Sequence, residues 1–369
     1  MREQLEDACG RLEESATSRL GEYAMSSVVI CVDVMGGDEG PEPVLRGIDA
    51  ALAADEHLEV LAAGPERIVV PLADKRQRVR ALVAEQAIAM DDDPISAVMK
   101  KRRSSIVLGC RALRRGDAQG LFSAGSTGAV TAAATAFVTP LRHERAGALR
   151  PVRPCITSAL PNRAGGLTVF CDMGANPDVE PSDMVRFAQM GAAYARAVLD
   201  VRAPRVALLS NGTEDSKGSL FTKACFPLLR DQIEGFVGNC EGDGVVSGDY
   251  DVVVADGFAG NIALKAMEGS AKLLMNELKS TFLGSVRGRI CGLVMRGSLN
   301  DLKKRLSGDS RGGAMLLGVR GVVLIGHGAT SSEAVMNGTL SAASAVRAGL
   351  VESISTALDS GQADGEQCL

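Results

Sequence analysis

Residues 28–41 of this 369-residue chain read VVICVDVMGGDEGP, an apolar run, then a glycine-rich turn and a proline suited to a helix start. The same order of apolar run, polar loop and helix-like stretch recurs five more times. The other runs are LFS (121–123), LTVFCDM (167–173), RVALLS (205–210), DVVVADG (251–257) and GVVLIGHG (321–328). Short apolar runs joined by helices are typical of a buried parallel sheet covered on both faces. The pattern therefore predicts an α/β fold with three layers and a mostly parallel sheet.

The loops after these runs combine glycine with small polar residues. They read MGGDEGP, AGSTG, GANPD, NGTEDSKG, GFAGN and HGATSSE. In open α/β sheets, ligands bind outside the carboxyl ends of the strands. We therefore expect the six loops to gather at one edge of the sheet and their polar side chains to form the functional site.

Composition and charge exclude several classes of protein. A net charge of −5 and a pI of about 5.5 argue against general nucleic-acid binding, which needs a basic surface. The nine cysteines include no CxxC pair, and no HExxH motif or Cys/His cluster offers a zinc site. No apolar stretch approaches the roughly 20 residues that cross a bilayer. We expect a protein of the reducing cytoplasm that uses no metal and no cofactor.

The chain divides into one folded domain and two end segments. Residues 1–27 are acidic and predict a disordered or weakly helical extension outside the fold. Residues 28–350 predict a single α/β domain, and residues 351–369 its C-terminal end and a polar tail. Helices are expected over 182–199, with Ser182 as the N-cap, and over 332–349.

Residues 262–306 differ from the rest of the domain. They predict two projecting amphipathic helices, and 286–306 hold one acidic and six basic residues. The basic residues are Arg287, Arg289, Arg296, Lys303, Lys304 and Arg305. Such a pair packs on the domain or on a second subunit, or it offers a surface to an acidic partner or an anionic membrane. Both interpretations stay open, since one pair of helices can serve both roles.

Three loops offer groups that bind phosphate at the N-terminus of a helix. The loop 211–219 contributes Lys217, a mobile point charge suited to a phosphate. The loops 124–129 and 35–41 contribute Ser126, Thr127, Gly128, Gly36, Gly37 and Asp38. Taken singly, each loop is also compatible with a tight turn capped by serine or threonine, and Lys217 with an exposed surface lysine.

One histidine and one asparagine stand in positions that suit chemistry. His327 lies between two glycines at the end of the last apolar run, where a ligand can approach the backbone closely. His57 and His143 fall in charged segments that we expect to be exposed. Asn261 closes the loop DGFAGN and could cap a helix or orient a carbonyl group.

Taken in this order, the motifs resemble the bacterial phosphate acyltransferase family of phospholipid synthesis. The resemblance covers residues 28–350 and rests on VDVMGGDEGPEPVLRGI, KKRRSSIVLG, SAGSTGAV, CDMGANPD, LLSNGTEDSKG, VVVADGFAGNIALKAMEG and RGGAMLLGVRGVVLIGHG. It implies transfer of a long-chain acyl group from acyl-ACP to inorganic phosphate, and an acyl phosphate product for phosphatidic acid synthesis. It also implies a fold like that of phosphotransacetylases and isocitrate dehydrogenase, a homodimer, peripheral contact with the inner face of the membrane, and a downstream glycerol-3-phosphate acyltransferase.

A mechanism follows as a hypothesis. Lys217, Ser126 and Thr127 would bind phosphate, which is itself a competent nucleophile. Asn261 and His327 would donate to the oxyanion or protonate the departing thiolate. The aspartates that would orient these groups are Asp33, Asp38, Asp172 and Asp256. Further substrate contacts are expected from Gly36, Gly37, Gly128, Asn176, Gly212, Thr213, Glu214 and Gly257.

Two other classes of function compete with this hypothesis. One is an oxidoreductase like isocitrate dehydrogenase, which would need a dinucleotide site and an aspartate cluster for a metal. The other is a membrane-associated scaffold that binds acyl carrier protein without catalysis. The many polar residues in the six loops favour an enzyme over a scaffold.

Overall fold

The middle layer of the molecule is one mixed β-sheet. The computed structural model describes residues 27–145, 148–299, 302, 312–326 and 331–360, and within them the sheet has eleven strands. Their order across the sheet is β10-β9-β11-β8-β7-β12-β13-β4-β1-β2-β3, and β5 and β6 form a separate hairpin. The strands are β1 (Val28–Asp33), β2 (Leu58–Gly64), β3 (Val79–Val83), β4 (Gly120–Ser123), β5 (Arg142–Arg145), β6 (Ala148–Pro151), β7 (Cys155–Pro161), β8 (Leu167–Cys171), β9 (Val206–Leu209), β10 (Phe236–Cys240), β11 (Val252–Val254), β12 (Ala314–Leu317) and β13 (Val322–Ile325).

Helices connect most of these strands. They are α1 (Pro41–Ala54), α2 (Glu66–Asp74), α3 (Pro94–Lys100), α4 (Ser105–Arg115), α5 (Thr127–Ala133, continued by the π-helical turn Ala134–Val138), α6 (Pro181–Leu199), α7 (Leu220–Gln232), α8 (Gly257–Leu283), α9 (Val286–Val294), α10 (Ser332–Arg347) and α11 (Leu350–Ser360). All six apolar runs of the recurring pattern form strands, as predicted: β1, β4, β8, β9, β11 and β13.

The sheet contains two blocks of parallel strands that run in opposite directions. One block is β13, β4, β1, β2 and β3, and the other is β8, β11, β9 and β10. Between the blocks, β7 pairs antiparallel with β8 and β12, and β12 pairs antiparallel with β13. These three reversals place the carboxyl ends of the two blocks at opposite edges of the sheet.

Side chains alternate between two cores, one on each face of the sheet. In β1, Ile30 and Val32 belong to one core, and Cys31 belongs to the other. Helices α1, α2, α6, α7, α10 and α11 cover the first face, and α3, α4, α5 and the first turns of α8 cover the second. The predicted three-layer α/β fold is therefore confirmed.

Two helices differ in detail from the sequence prediction. The cap of α6 is Glu180 rather than Ser182, because the side chains of Glu180 and Asp183 form a capping box with the backbone. The C-terminal region forms two helices, since Leu350, Ile354 and Leu358 are buried in the core of the first face. The fold thus continues through residue 360.

Candidate active site

The carboxyl ends of the two blocks carry two separate clusters of predicted site residues. Strands β8, β11 and β9 are neighbours, so the loops after them lie side by side. We call this cluster the Lys217 edge, and it comprises 172–178, 255–261 and 210–219. Strands β13, β4 and β1 are also neighbours. We call the cluster after them the Ser126 edge, and its described residues are 326, 331, 124–129 and 34–41.

The expectation that all six loops gather at one edge is wrong. Lys217 follows β9 and Ser126 follows β4, six positions away in the sheet. At a strand spacing of about 4.8 Å, this separates them by roughly 29 Å along the sheet. They also leave the sheet at opposite edges, so one phosphate ion cannot contact both residues within a protomer. The cause is the reversal at β7 and β12, which no apolar run of the recurring pattern includes.

Asp172 organises the first loop of the Lys217 edge. It is fully buried, and its carboxylate accepts five hydrogen bonds of 2.8–3.1 Å. The donors are the backbone N–H groups of Ile156, Gly174, Ala175 and Asn176 and the side-chain amide of Asn176. Burial raises the pKa of Asp172, and these donors oppose the shift. Its role is to hold the loop 172–176, and Asn176 also donates to the carbonyl of Pro154 at 2.7 Å.

The second loop of this edge leads directly into α8. Asp256 caps the helix, because its Oδ1 accepts from the N–H of Ala259 at 2.8 Å. The N–H of Gly257 donates to the carbonyl of Asn176 at 2.8 Å. A Cβ on Gly260 would overlap the carbonyl of Asp172, so this position needs glycine. The first turn of α8 therefore packs on the loop 172–176, and Asn261 lies exposed at this junction beside Gly174.

The third loop of the Lys217 edge carries the positively charged side chain of Lys217. The side chain of Lys217 is 48% exposed, and its Nζ lies 3.9 Å from the carboxylate of Glu214, which is also exposed. The side chain of Asn211 accepts from the N–H of Gly218 at 2.9 Å and closes the loop. Gly212 is buried beneath the stem of Lys217, and Thr213 is exposed. The ammonium group is thus available to an anion.

One residue of this edge was missed in the sequence. Asn239 in β10 is 3% exposed, and its Nδ2 donates to the carbonyl of Glu214 at 2.9 Å. Its Oδ1 has no hydrogen-bond partner among the residues that the structure describes. Asn239 therefore holds the loop of Lys217 in place from strand β10. The sequence offers one sign of this role, a polar amide inside the strand FVGNC. Its hydrogen-bond partner lies 25 residues away, so the sequence does not reveal the contact.

Asp33 organises the Ser126 edge. It ends β1, is 2% exposed, and accepts from the hydroxyl of Ser123 at 2.7 Å and the N–H of Met35 at 3.0 Å. Burial raises the pKa of Asp33, and its hydrogen bonds, including one with Ser105, oppose the shift. A Cβ on Gly36 would lie 2.7 Å from the backbone nitrogen of Gly125, so the loops 34–41 and 124–129 touch each other.

The remaining predicted residues of the Ser126 edge are more accessible. Ser126 is half-buried at the start of α5 without a capping hydrogen bond from its side chain, and Thr127, Gly128 and Asp38 are exposed. Gly37 adopts a positive φ of 111° in the turn after β1. His327 lies outside the described residues, although β13, which precedes it, ends at this edge. His143 is buried rather than exposed, because β5 packs against α11.

Helices α8 and α9 present an unusual surface. Ala259, Ala263, Leu264 and Met267 pack on the second core, but the outer part of α8 and all of α9 lack this contact. Large apolar side chains are exposed there: Leu273, Leu274, Leu283, Ile290, Leu293, Val294 and Met295. Arg287, Arg289 and Arg296 are exposed beside them, and Lys303, Lys304 and Arg305 lie outside the described residues. None of the described helices is both long and apolar enough to span a bilayer.

Comparison with known proteins identifies the family. Residues 28–353 match the family model described as "Fatty acid synthesis protein". A phosphate acyltransferase of Desulforudis audaxviator is 42% identical over 88% of this chain and 94% of its own length. One of Carboxydothermus hydrogenoformans is 39% identical over 84% of this chain and 92% of its own. The chain belongs to the phosphate acyltransferase family. It is therefore an acyltransferase, which decides against the scaffold and the oxidoreductase.

Solved structures share the fold at much lower sequence identity. A phosphotransacetylase of Streptococcus pyogenes has a TM-score of 0.55 and 17% identity, covering 92% of this chain and 99% of its own. A branched-chain phosphotransacylase of Enterococcus faecalis has a TM-score of 0.53 and 14% identity, and the match covers 87% of this chain and 98% of its own. The predicted likeness to phosphotransacetylases is confirmed at the level of the fold.

Proposed function

We propose that this acyltransferase moves a long-chain acyl group from the thioester of acyl-ACP to inorganic phosphate and releases acyl phosphate for phospholipid synthesis. Relatives named phosphate acyltransferase support the choice of acceptor. The observation that carries the proposal is that neighbouring strands bring the loops of Asn176, Asn261 and Lys217 together at one edge.

Lys217 binds the phosphate. Its ammonium group is a compact point charge on a flexible stem, which suits a small monoanionic or dianionic ligand. The carboxylate of Glu214, its ion-pair partner, is exposed and 3.9 Å away, so a phosphate can displace it. Asn211 and Asn239 fix the loop from both sides, which reduces the entropy lost on binding. Gly212 and Thr213 provide backbone and hydroxyl contacts.

Asn261 stabilises the oxyanion. Asn261 is the fifth residue of α8 and follows directly on its first turn, close to the helix N-terminus, where the helix dipole favours negative charge. The loop held by Asp172 and Asn176 packs against this turn, so the backbone that carries the amide donor is held in place before the substrate binds. Donors of this kind are worth about 10²- to 10³-fold in turnover when the site excludes water.

The reaction is a direct displacement. A phosphate oxygen forms a bond to the thioester carbonyl carbon, the carbonyl oxygen becomes the oxyanion, and the C–S bond breaks as the carbonyl reforms. The thiolate of the carrier leaves and takes up the proton that the attacking hydrogen phosphate gives up, and acyl phosphate remains. The enzyme contributes position and electrostatic stabilisation, because phosphate is already a nucleophile near neutral pH.

The Ser126 edge stands apart from this centre within one protomer, and β13, the strand that precedes His327, ends at that edge. The joint phosphate site of Lys217, Ser126 and Thr127 requires a second protomer to supply one edge. We propose a homodimer, which would permit such sharing. Working in the cytoplasm, the dimer would contact acyl-ACP or the anionic inner face of the membrane through Arg287, Arg289 and Arg296.

The test is incubation of the purified protein with palmitoyl-ACP, with and without phosphate. Free thiol and acyl phosphate are followed together, the latter by trapping with hydroxylamine. We expect both products in equal amounts and only when phosphate is present. Thiol release without phosphate, or no release by a folded sample, would reject the proposal.

A further inference from the structure

Helices α8 and α9 enclose a cleft that the proposed reaction does not use. Its volume is about 590 Å³, within the range of about 300–1,000 Å³ that is usual for small-molecule sites. Apolar side chains form most of its wall: Met275, Leu278, Phe282, Leu283, Leu293 and Leu299. We call it the α8–α9 cleft.

The two helices approach closely at the floor of the cleft because α9 has glycines there. A Cβ on Gly292 would lie 3.2 Å from the Cβ of Phe282, and one on Gly288 would lie 2.6 Å from the carbonyl of Phe282. Larger residues would push α9 away from α8. The cleft is thus a built feature of the pair rather than a gap between loosely packed helices.

Three cations line the α8–α9 cleft together with its apolar wall. They are Lys279, Arg289 and Arg296, and no carboxylate of the described residues lines it. Arg289 donates from Nε to the carbonyl of Leu283 at 3.2 Å, which fixes its guanidinium group at the cleft. Neither Lys279 nor Arg296 has an ion-pair partner in the part of the chain that the structure describes. Three uncompensated positive charges beside an apolar wall complement a ligand with an anionic head and a hydrocarbon chain.

The α8–α9 cleft is also separate from the proposed reaction centre. Met275 comes fourteen residues after Asn261 in α8, which is about 21 Å along the helix axis. A small anion held by Lys217 therefore does not reach the cleft. A phosphate group bound by the cations of the cleft is therefore not in the proposed reaction centre.

We infer that the α8–α9 cleft binds a single-chain phosphate amphiphile, with the chain on the apolar wall and the phosphate on Lys279, Arg289 and Arg296. This inference rests on the proposed function, because acyl phosphate, the product proposed there, has this chemistry. A bound product would keep its chain out of water until the next enzyme takes it.

The probe is dodecyl phosphate, a stable phosphate ester, titrated calorimetrically into the full-length protein below its critical micelle concentration. We expect saturable binding of one molecule per chain. Butyl phosphate, which has the head alone, and dodecyl maltoside, which has the chain alone, should bind at least about tenfold more weakly. Absence of saturable binding by dodecyl phosphate would overturn the inference.

Matched variants locate the binding. Leu278→Gln and the double variant Arg289→Gln/Arg296→Gln should each raise the Kd about tenfold, because they remove wall and head contacts. Leu273→Gln and Lys272→Gln change exposed residues of the same helix that do not line the cleft, and should leave the Kd unchanged. Circular dichroism checks that each variant keeps its helices. Equal effects in both sets would overturn the inference.

Two further outcomes separate this inference from its alternatives. If the cleft variants weaken retention on phosphatidylglycerol vesicles but leave the Kd for dodecyl phosphate unchanged, the surface is a membrane contact and the inference is wrong. Phosphate-dependent turnover is measured separately on the same wild-type sample. Turnover without dodecyl phosphate binding rejects the inference alone, whereas binding without turnover rejects the proposed function.

Discussion

The Lys217 edge and the Ser126 edge both place a buried aspartate at the end of a strand, but they use it for different purposes. Asp172 accepts five N–H groups and shapes one loop, against which the first turn of α8 packs. Asp33 accepts from Ser123 on the neighbouring strand and so joins two strand ends. The first edge exposes the amide of Asn261 and the ammonium group of Lys217, and the second exposes the hydroxyl of Thr127 and the carboxylate of Asp38. Similar motifs in a sequence thus become different kinds of site.

The largest expected effect tests which edge carries the reaction. Lys217→Ala should lower phosphate-dependent turnover about 10²- to 10³-fold, because the phosphate loses its counter-charge. Steady-state rates of thiol release from palmitoyl-ACP measure this. Lys223→Ala is the matched control, an exposed lysine in the next helix.

The same assay on Ser126→Ala tests whether the Ser126 edge takes part in the reaction. We expect a loss at least about tenfold smaller than that of Lys217→Ala, since the two residues lie at opposite edges. Losses of equal size would contradict a reaction centre at the Lys217 edge alone. They would mean that one reaction uses both edges, with a second protomer supplying one of them.

The second prediction concerns the block that bears the Ser126 edge. Arg347 at the end of α10 forms two hydrogen bonds with Asp55 at the end of α1, at 2.7 and 3.2 Å, and both side chains are mostly buried. Arg347→Ala leaves a buried carboxylate without its cation and should cost about 3 kcal/mol in urea unfolding. A loss below about 0.5 kcal/mol would show that the pair is equivalent to a surface ion pair.

The pH dependence of this pair has a definite sign. Burial would raise the pKa of Asp55, but hydrogen bonds from Arg347 and from the N–H of His57 bring it below its ordinary value. The stabilisation is therefore present above the unfolded-state pKa and is lost as pH falls through the folded-state value. The difference between wild type and Arg347→Ala should shrink on acidification through that range. A difference that stays constant there would contradict this account.

The third prediction concerns the packing of α8 on the Lys217 edge. Gly260→Ala places a methyl group against the carbonyl of Asp172 and should cost about 1–3 kcal/mol of stability. Turnover should fall as well, because Asn261 moves with the helix. Unchanged stability and turnover would show that the loop 172–176 yields without consequence.

We expect the smallest effect from Gly269→Ala, the matched control for Gly260→Ala in the same helix. Apart from its chain neighbours and the backbone of its own helix, no atom of the described residues lies within 4 Å of the position of a Cβ on Gly269 in α8. Gly269→Ala should raise stability by about 0.5–1 kcal/mol, through helix propensity alone. Thermal unfolding of the two glycine variants side by side would separate close packing from propensity, and destabilisation by both would refute the distinction.

Much of the fold could be predicted from the sequence because its signals are local. Each of the six apolar runs forms a strand, since such a run needs only its own residues to be recognised. The exposed arginines of α9 follow from local charge in the same way. The capping box of Glu180 was not recognised, because the nearby Ser182 is also a suitable N-cap residue. The burial of His143 was not recognised either, because it depends on the packing of β5 against α11.

The candidate site could be predicted only in part. Asn261 and Lys217 lie on neighbouring loops, as the sequence predicts from the fact that both loops follow apolar runs. Their separation from Ser126 depends on the order and direction of the strands in the sheet, which the sequence does not show. Asn239 could not be assigned because its partner, the carbonyl of Glu214, belongs to another loop.

By itself, the sequence determined the strands, the polar loops after them and the family, because these depend on residue order along the chain. Only the tertiary structure decided which loops share an edge. A strand has the same apolar pattern in either direction, and the antiparallel pairings of β7 and β12 are set by contacts between residues up to about 160 positions apart. Hydrogen bonding between distant strands therefore chose two edges where the sequence alone predicted one.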